Sequence, residues 1–239
     1  MTTIYLMRHG QSQANIERIF ANSNEGFPLT KEGIRQAEMA ARYLRLKNIS
    51  RIYSSPILRA METSSIVSSE LEIEATPMNE IREFHVGELE GKLIEGEASS
   101  AFLKLVRNWI GGKEDERIPE GESHRQVIGR FWKAMNTFVD ECPAGEVLAV
   151  SHGGFLSMTL PFVCSGIDPE HFFSRSGVSI DNCAITTVKA YRYGDSISLE
   201  LLDWANTSHM EMDFEKEPVE NVWNSEDLRK DNFRRREQL

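Results

Sequence analysis

The chain has 239 residues, 40% of them hydrophobic and 27% charged, a balance that predicts a soluble globular fold with one sizeable core. A net charge of −10 and a pI near 5.2 leave no basic stripe to displace counterions, which argues against nucleic acid as a partner. No apolar run reaches the length of a membrane span, and the cysteines, Cys142, Cys164 and Cys183, are too scattered for a zinc site or a disulfide framework.

Met1-Thr2-Thr3 leads into the first apolar run, Ile4-Tyr5-Leu6-Met7, with no basic leader, which predicts a cytoplasmic protein opening on a buried strand. Arg8-His9-Gly10 stands at the carboxyl end of that run, where ligands bind in an open α/β sheet. The arginine fork suits phosphate oxygens. An imidazole can act as a neutral nucleophile near pH 7. Glycine lets backbone approach a ligand closely. Three residues alone are a weak signal and need corroboration from other segments of the chain.

Thr30 to Lys47 carries Ile34, Ala37, Ala41 and Leu44 at helical spacing, with Thr30 as N-cap. Arg51-Ile52-Tyr53-Ser54 predicts a second strand, then a helix with Ser55 as N-cap and Pro56 as its first residue. Arg59 falls in the first turn of that helix, and long helical side chains lean toward the N-terminus, so it reaches back toward His9. Leu71 to Ala75 predicts a third strand, followed by the acidic loop Glu80 to Gly91.

Residues 92–119 leave the sheet pattern, with a short helical stripe (Phe102, Leu105, Val106, Trp109) and the charged loop Gly111 to Arg117. Ser123 to Glu141 is a helix whose buried face is Val127, Phe131, Ala134, Met135 and Phe138. Val147-Leu148-Ala149-Val150 is a strand running into Ser151-His152-Gly153-Gly154, again a histidine followed by glycines whose N–H groups favour an anion. A helix interrupted by Pro161 spans Gly154 to Cys164, and Cys183 to Ala190 pairs with Ser196 to Leu202 across Tyr193-Gly194-Asp195. The stretch 211–239 is mixed in charge and reads either as a solvated tail or as a helix docked by Phe214, Trp223, Leu228 and Phe233. The alternation predicts an α/β fold: a three-layer αβα sandwich, mostly parallel, with helices on both faces.

Four segments, those around Arg8-His9-Gly10, Ser55 to Thr63, Glu80 to Gly91 and Ser151 to Gly154, together resemble the histidine phosphatase superfamily, from about Met1 to about Met210. The resemblance implies His9 as nucleophile, Arg8 and Arg59 as phosphate clamps and His152 as the second histidine. The family's acid lies four residues before a glycine, which selects Glu83 ahead of Gly87, with Glu80 and Glu88 as competitors. Ser12 and Asn15 match the family's Arg-His-Gly-x-Ser-x-x-Asn run, whose asparagine touches phosphate, and Gly153 joins the phosphate-binding set through its backbone. Gly121-Glu122-Ser123 matches a further family motif and reads here mainly as a helix start. Residues 1–210 correspond to the family domain, with 92–119 as a cap insertion that sets substrate choice, and 211–239 as a tail that influences access.

The implied function is metal-independent hydrolysis of a small-molecule phosphate monoester through a phosphohistidine, with no cofactor, no metal and no membrane or nucleic-acid partner. Phosphoglycerate mutase-type transfer is one alternative; a non-catalytic phospho-ligand or protein-binding relative is another. The family's mutases carry an adjacent Arg-Arg pair in a longer insertion, whereas Lys92, Lys104, Arg107, Lys113 and Arg117 are scattered here, which favours the phosphatase. The sequence leaves the oligomeric state open, with a homodimer as one option.

Overall fold

A computed structural model describes residues 1–22, 26–177 and 179–211. The docking expected of the tail therefore falls, from residue 212 on, outside the described residues.

The chain opens on β1 (Thr2–Arg8), whose Ile4, Leu6 and Met7 are fully buried, as expected of a strand covered on both faces. After a short helix α1 (Gln13–Glu17) comes α2 (Lys31–Leu44), where Thr30 Oγ1 caps the start by accepting from the Gly33 N–H at 3.0 Å. Then come β2 (Ile49–Ser54), α3 (Leu58–Leu71), β3 (Ala75–Pro77), α4 (Gly96–Ile110) and α5 (His124–Glu141). A reciprocal pair caps α5: the Ser123 hydroxyl takes the Gln126 N–H, and the Gln126 side chain takes the Ser123 N–H. The chain closes with β4 (Glu146–Ser151), α6 (Gly153–Ser157), α7 (Leu160–Val163), α8 (Pro169–Ser176), β5 (Ile185–Tyr193) and β6 (Ser196–Asn206).

The strands form one mixed sheet in the order β3-β2-β4-β1-β5-β6. β1 to β4 run parallel, and β5 and β6 are an antiparallel hairpin added beside β1. Period-two alternation sends Ile4, Leu6, Val147 and Ala149 to one face and Tyr5, Met7, Leu148 and Val150 to the other. The first set packs under α4, α5 and α6 through Trp109, Phe131, Phe138 and Phe155. The second packs under α2 and α3 through Ala37, Ala41, Leu44 and Val67. Helices on both faces of a mostly parallel sheet make the αβα sandwich. No described helix is long and apolar enough to cross a membrane.

Three local expectations are corrected. Helix α3 starts at Leu58 with Ile57 as its uncapped N-cap, not at Pro56 with Ser55 as cap. The Ser55 hydroxyl is engaged by the His152 ring at 2.7 Å, and Pro56 keeps Ser55 out of the helical region. The predicted third strand, Leu71 to Ala75, is displaced: α3 continues to Leu71 and Glu72 ends it at φ +55°, so β3 is a three-residue edge strand closing on Pro77. The late hairpin begins at Ile185 because Cys183, at φ +55°, turns its N–H onto the carbonyls of Arg8 and His9. Helix α8 was not anticipated, although Asp168-Pro169 is a legible start: the Asp168 carboxylate accepts the His171 N–H at 2.7 Å.

Gly10 serves the packing of the chain behind the sheet edge. A Cβ there would lie 2.4 Å from the Gly33 carbonyl oxygen, and one on Gly33 would lie 2.0 Å from the Gln11 carbonyl oxygen. The two glycines let α2 cross the backbone directly behind His9.

Candidate active site

β1 and β4 are neighbours with Arg8 opposite Ser151, so the next residues along each strand, His9 and His152, emerge side by side. Their ring centroids are 5.1 Å apart with planes at 60°. Arg59, the second residue of α3, leans back over the helix start and meets both rings. Its Nε donates to His9 Nε2 at 2.9 Å, and its Nη2 lies 2.8 Å from the Ala21 carbonyl and 3.2 Å from His152 Nδ1.

These contacts set the protonation of both histidines. His9 Nδ1 is 2.7 Å from the Gly10 carbonyl, which only accepts, so Nδ1 carries the proton and Nε2 keeps its lone pair. Burial, followed by the Arg59 and Arg8 charges, holds the His9 pKa well below 6.5. The same order of causes, burial and then Arg59, keeps His152 neutral. With Arg59 donating to its Nδ1, His152 gives its Nε2 proton to Ser55 Oγ. Desolvation lowers the Arg59 pKa to about 10, which still leaves the guanidinium charged near neutrality.

Arg8 donates from Nη1 to the Ile180 carbonyl, while its buried Nε has no hydrogen-bond partner among the described residues. Such a donor is an unmet demand in a cleft wall. Gly153 makes room for it, since a Cβ there would lie 3.2 Å from Arg8 Cδ and Nε. Asn15 Oδ1 accepts from the Ser12 N–H at 3.0 Å, the Ser12 hydroxyl at 3.2 Å and Asn182 Nδ2 at 3.2 Å. The oxygen being occupied, the amide N–H groups of Asn15 are left for the cleft it lines.

Glu83 faces the same space. Its Oε1 accepts the Phe84 N–H and its Oε2 the Gly154 N–H, both at 3.0 Å. These bonds favour the ionised form, but burial of the carboxyl is the larger effect and raises the pKa above its ordinary value of 4.5. The competing carboxylates are elsewhere: neither Glu80 nor Glu88 lines the cleft, and Glu88 is exposed.

The loop carrying Glu83 is fastened from behind by α5. Arg130 Nη1 donates to the carbonyls of Glu80 at 2.8 Å and Arg82 at 2.7 Å. Its Nε and Nη2 hold the Glu122 carboxylate, which also accepts the His85 N–H at 2.8 Å. Gly121-Glu122-Ser123 is thus more than a helix start, since Glu122 ties the acidic loop to α5.

Arg8, His9, Asn15, Arg59, Glu83 and Gly153 line one cleft of about 310 Å³. Two expected phosphate-binding residues stand back from it. Ser12 is fully buried and acts on Asn15, and His152 is fully buried behind Arg59. Sequence reasoning missed Ser55, Arg130 and Asn182, the last of which bonds both Asn15 and the His9 carbonyl. Only Ser55 belongs to one of the four family segments; Arg130 is one more charge on an amphipathic helix, and Asn182 sits in an irregular loop. No group of three or more His, Cys, Asp or Glu among the described residues is arranged to hold a metal ion.

The chain matches the histidine phosphatase superfamily (branch 1) over residues 4–205. It is 31% identical to the probable phosphoglycerate mutase GpmB of Cronobacter sakazakii over 188 residues, covering 79% of this chain and 85% of that protein. Among solved structures it is similar to Bacillus stearothermophilus YhfR, with a TM-score of 0.72, 25% identity, and coverage of 88% of this chain and 100% of that one. The mycobacterial glucosyl-3-phosphoglycerate phosphatase shares the fold, with a TM-score of 0.71 at 22% identity over 86% of this chain and 99% of that one. So does the phosphoserine phosphatase of Entamoeba histolytica, with a TM-score of 0.69 at 21% identity over 88% and 100%. By match and by fold, the chain belongs to branch 1 of the histidine phosphatase superfamily.

Proposed function

We propose that this chain hydrolyses small phosphate monoesters through a phosphohistidine on His9. The observation that carries the reading is the unprotonated Nε2 of His9, contacted by Arg59, in a cleft that Arg8 also lines. Arg59 Nε turns from Nε2 to a phosphoryl oxygen, and the freed Nε2 attacks phosphorus in line with the leaving oxygen, forming the P–N bond as the ester P–O bond breaks. Arg8, Arg59 and Asn15 bind the phosphoryl oxygens, and His152 orients Arg59 from behind. Glu83, protonated, gives its proton to the departing alkoxide. As a carboxylate it then takes a proton from water, which attacks the phosphohistidine, breaks the P–N bond and releases inorganic phosphate.

Mutase chemistry is the second reading, favoured by the name of the curated relatives. It requires a site for a second anion and exclusion of water. Lys92, Lys104, Arg107, Lys113 and Arg117 are all exposed, and none lines the cleft, which favours transfer to water. The test is phosphate release from a panel of monoesters, run with and without a chelator, alongside ³¹P NMR of 3-phosphoglycerate. Undiminished release in chelator is the expected result. Isomerisation of phosphoglycerate without release would establish the mutase, and activity restored only by magnesium would sink the metal-independent mechanism.

Arg130 enters as a positioning residue. Arg130→Met should release residues 80–85 and cost up to about 100-fold in kcat, the scale expected when a catalytic group is misplaced by about 1 Å. KM should hold, and the loss should be larger for alkyl than for aryl phosphates, because the acid is what has moved. Equal losses on both, or a loss confined to KM, would show that Arg130 serves folding or binding instead.

A further inference from the structure

We propose that the leaving-group end of the cleft is an apolar subsite, made for phosphate esters of neutral alkyl or aryl alcohols and unsuited to esters carrying a second anion. The subsite rests on the hydrolase reading only for the position of the phosphoryl group.

The charged residues that line the cleft are Arg8, Arg59 and Glu83, grouped with His9 by the contacts of Arg59 and by the charge of both arginines acting on His9. Most of the remaining lining is apolar, including Ile19, Phe20, Ile94, Phe102, Val106 and Met158, with two hydroxyls: Ser157, which bonds the Gly153 carbonyl, and Ser179. Phe102 links the wall into one aromatic surface, with ring centroids 5.1 Å from Phe20 and 6.0 Å from Phe84. The lining cations have little to offer a second anion. Arg8 and Arg59 already bind the carbonyls of Ile180 and Ala21, and Arg59 also holds His9 and His152. Asn22, also in the lining, gives its amide to the Phe84 carbonyl. A rim cation, Arg18, donates to the Ile94 carbonyl and does not line the cleft.

A carboxylate on the alcohol would therefore lose its water against a mostly hydrocarbon wall, with no cation among the described lining residues beyond the phosphoryl clamp to receive it. It would also stand near Glu83, whose second step needs the ionised form. An alkyl chain or aromatic ring in the same place removes apolar surface from water on both sides. This separates the chain from relatives whose names point to carboxylate-bearing esters, the phosphoserine and glucosyl-3-phosphoglycerate phosphatases.

The test uses binding to the full-length His9→Ala protein, which does not depend on turnover. Calorimetric titration compares methyl, butyl and hexyl phosphate with phosphoserine and 3-phosphoglycerate. Affinity should rise about fourfold per methylene from methyl to hexyl, the factor set by burying each CH₂. The carboxylated esters should bind no tighter than methyl phosphate. In the same background, Ile94→Lys should weaken hexyl phosphate and tighten 3-phosphoglycerate about tenfold, a reasonable gain for one partnered charge near a surface. Should that variant not fold, Phe102→Ala should flatten the dependence on chain length. A chain-length series with no slope, or carboxylated esters that bind tighter than hexyl phosphate, would overturn the subsite. Turnover by the unaltered protein tests the hydrolase assignment separately. Apolar preference in binding with no ester hydrolysed would uphold the subsite and reject the hydrolase.

Discussion

His9→Ala should reduce hydrolysis by at least about 10⁴-fold, the scale seen when a covalent nucleophile is deleted and only binding and charge stabilisation survive. The protein should remain folded. Quenching of the unaltered enzyme in alkaline detergent after reaction with ³²P-labelled ester should leave alkali-stable, acid-labile label on His9, the ring whose unprotonated Nε2 accepts from Arg59. Arg59→Ala should cost about 100- to 1000-fold, as for loss of a preorganised donor. It also frees His9 Nε2 and His152 Nδ1, which Arg59 contacts at 2.9 and 3.2 Å. Label on a serine or an aspartate would require a different nucleophile.

Glu83→Gln should divide substrates by leaving group. Alkyl phosphates should lose about 100- to 10⁴-fold, the range for general acid catalysis, while 4-nitrophenyl phosphate, whose anion needs no proton, should lose far less in the first step. The pH profile carries the same assignment. Burial raises the Glu83 pKa above 4.5, and the acid works protonated, so the rate should fall as pH rises through that raised value. His9, held well below 6.5, should keep its lone pair as pH drops past 6.5, so no decline is expected there from its protonation. Glu83→Gln should erase the alkaline limb for alkyl esters. An unchanged limb would move the acid role away from Glu83.

The sandwich and the meeting of His9, Arg59 and His152 were legible because each lies at the end of a strand or the start of a helix, where local pattern sets position. Glu83 was legible only through its family spacing; what distinguishes it from Glu80 and Glu88 physically is the pair of N–H groups from Phe84 and Gly154, and the second of these comes from a segment 71 residues away. Ser55 was misassigned as a helix cap because a serine before a proline carries the same local signal whether its hydroxyl serves its own helix or a histidine 97 residues away. Arg130 and Asn182 gave no signal because their partners are main-chain carbonyls and side chains brought close only by folding.

The crossing of Gly10 and Gly33 has a consequence for anyone who would engineer this chain. Exchanging helical glycines for alanine is a standard route to thermal robustness, usually gaining about 0.4–1 kcal/mol where the backbone permits. Gly33, in the first turn of α2, looks like a suitable site by sequence. Yet its methyl group would sit 2.0 Å from the Gln11 carbonyl oxygen, and the strain would travel two residues along the chain to the imidazole. A stabilisation library scored by melting temperature alone would misjudge this position, because the helix, relieved of a glycine, can stay intact while it levers the His9 loop out of register.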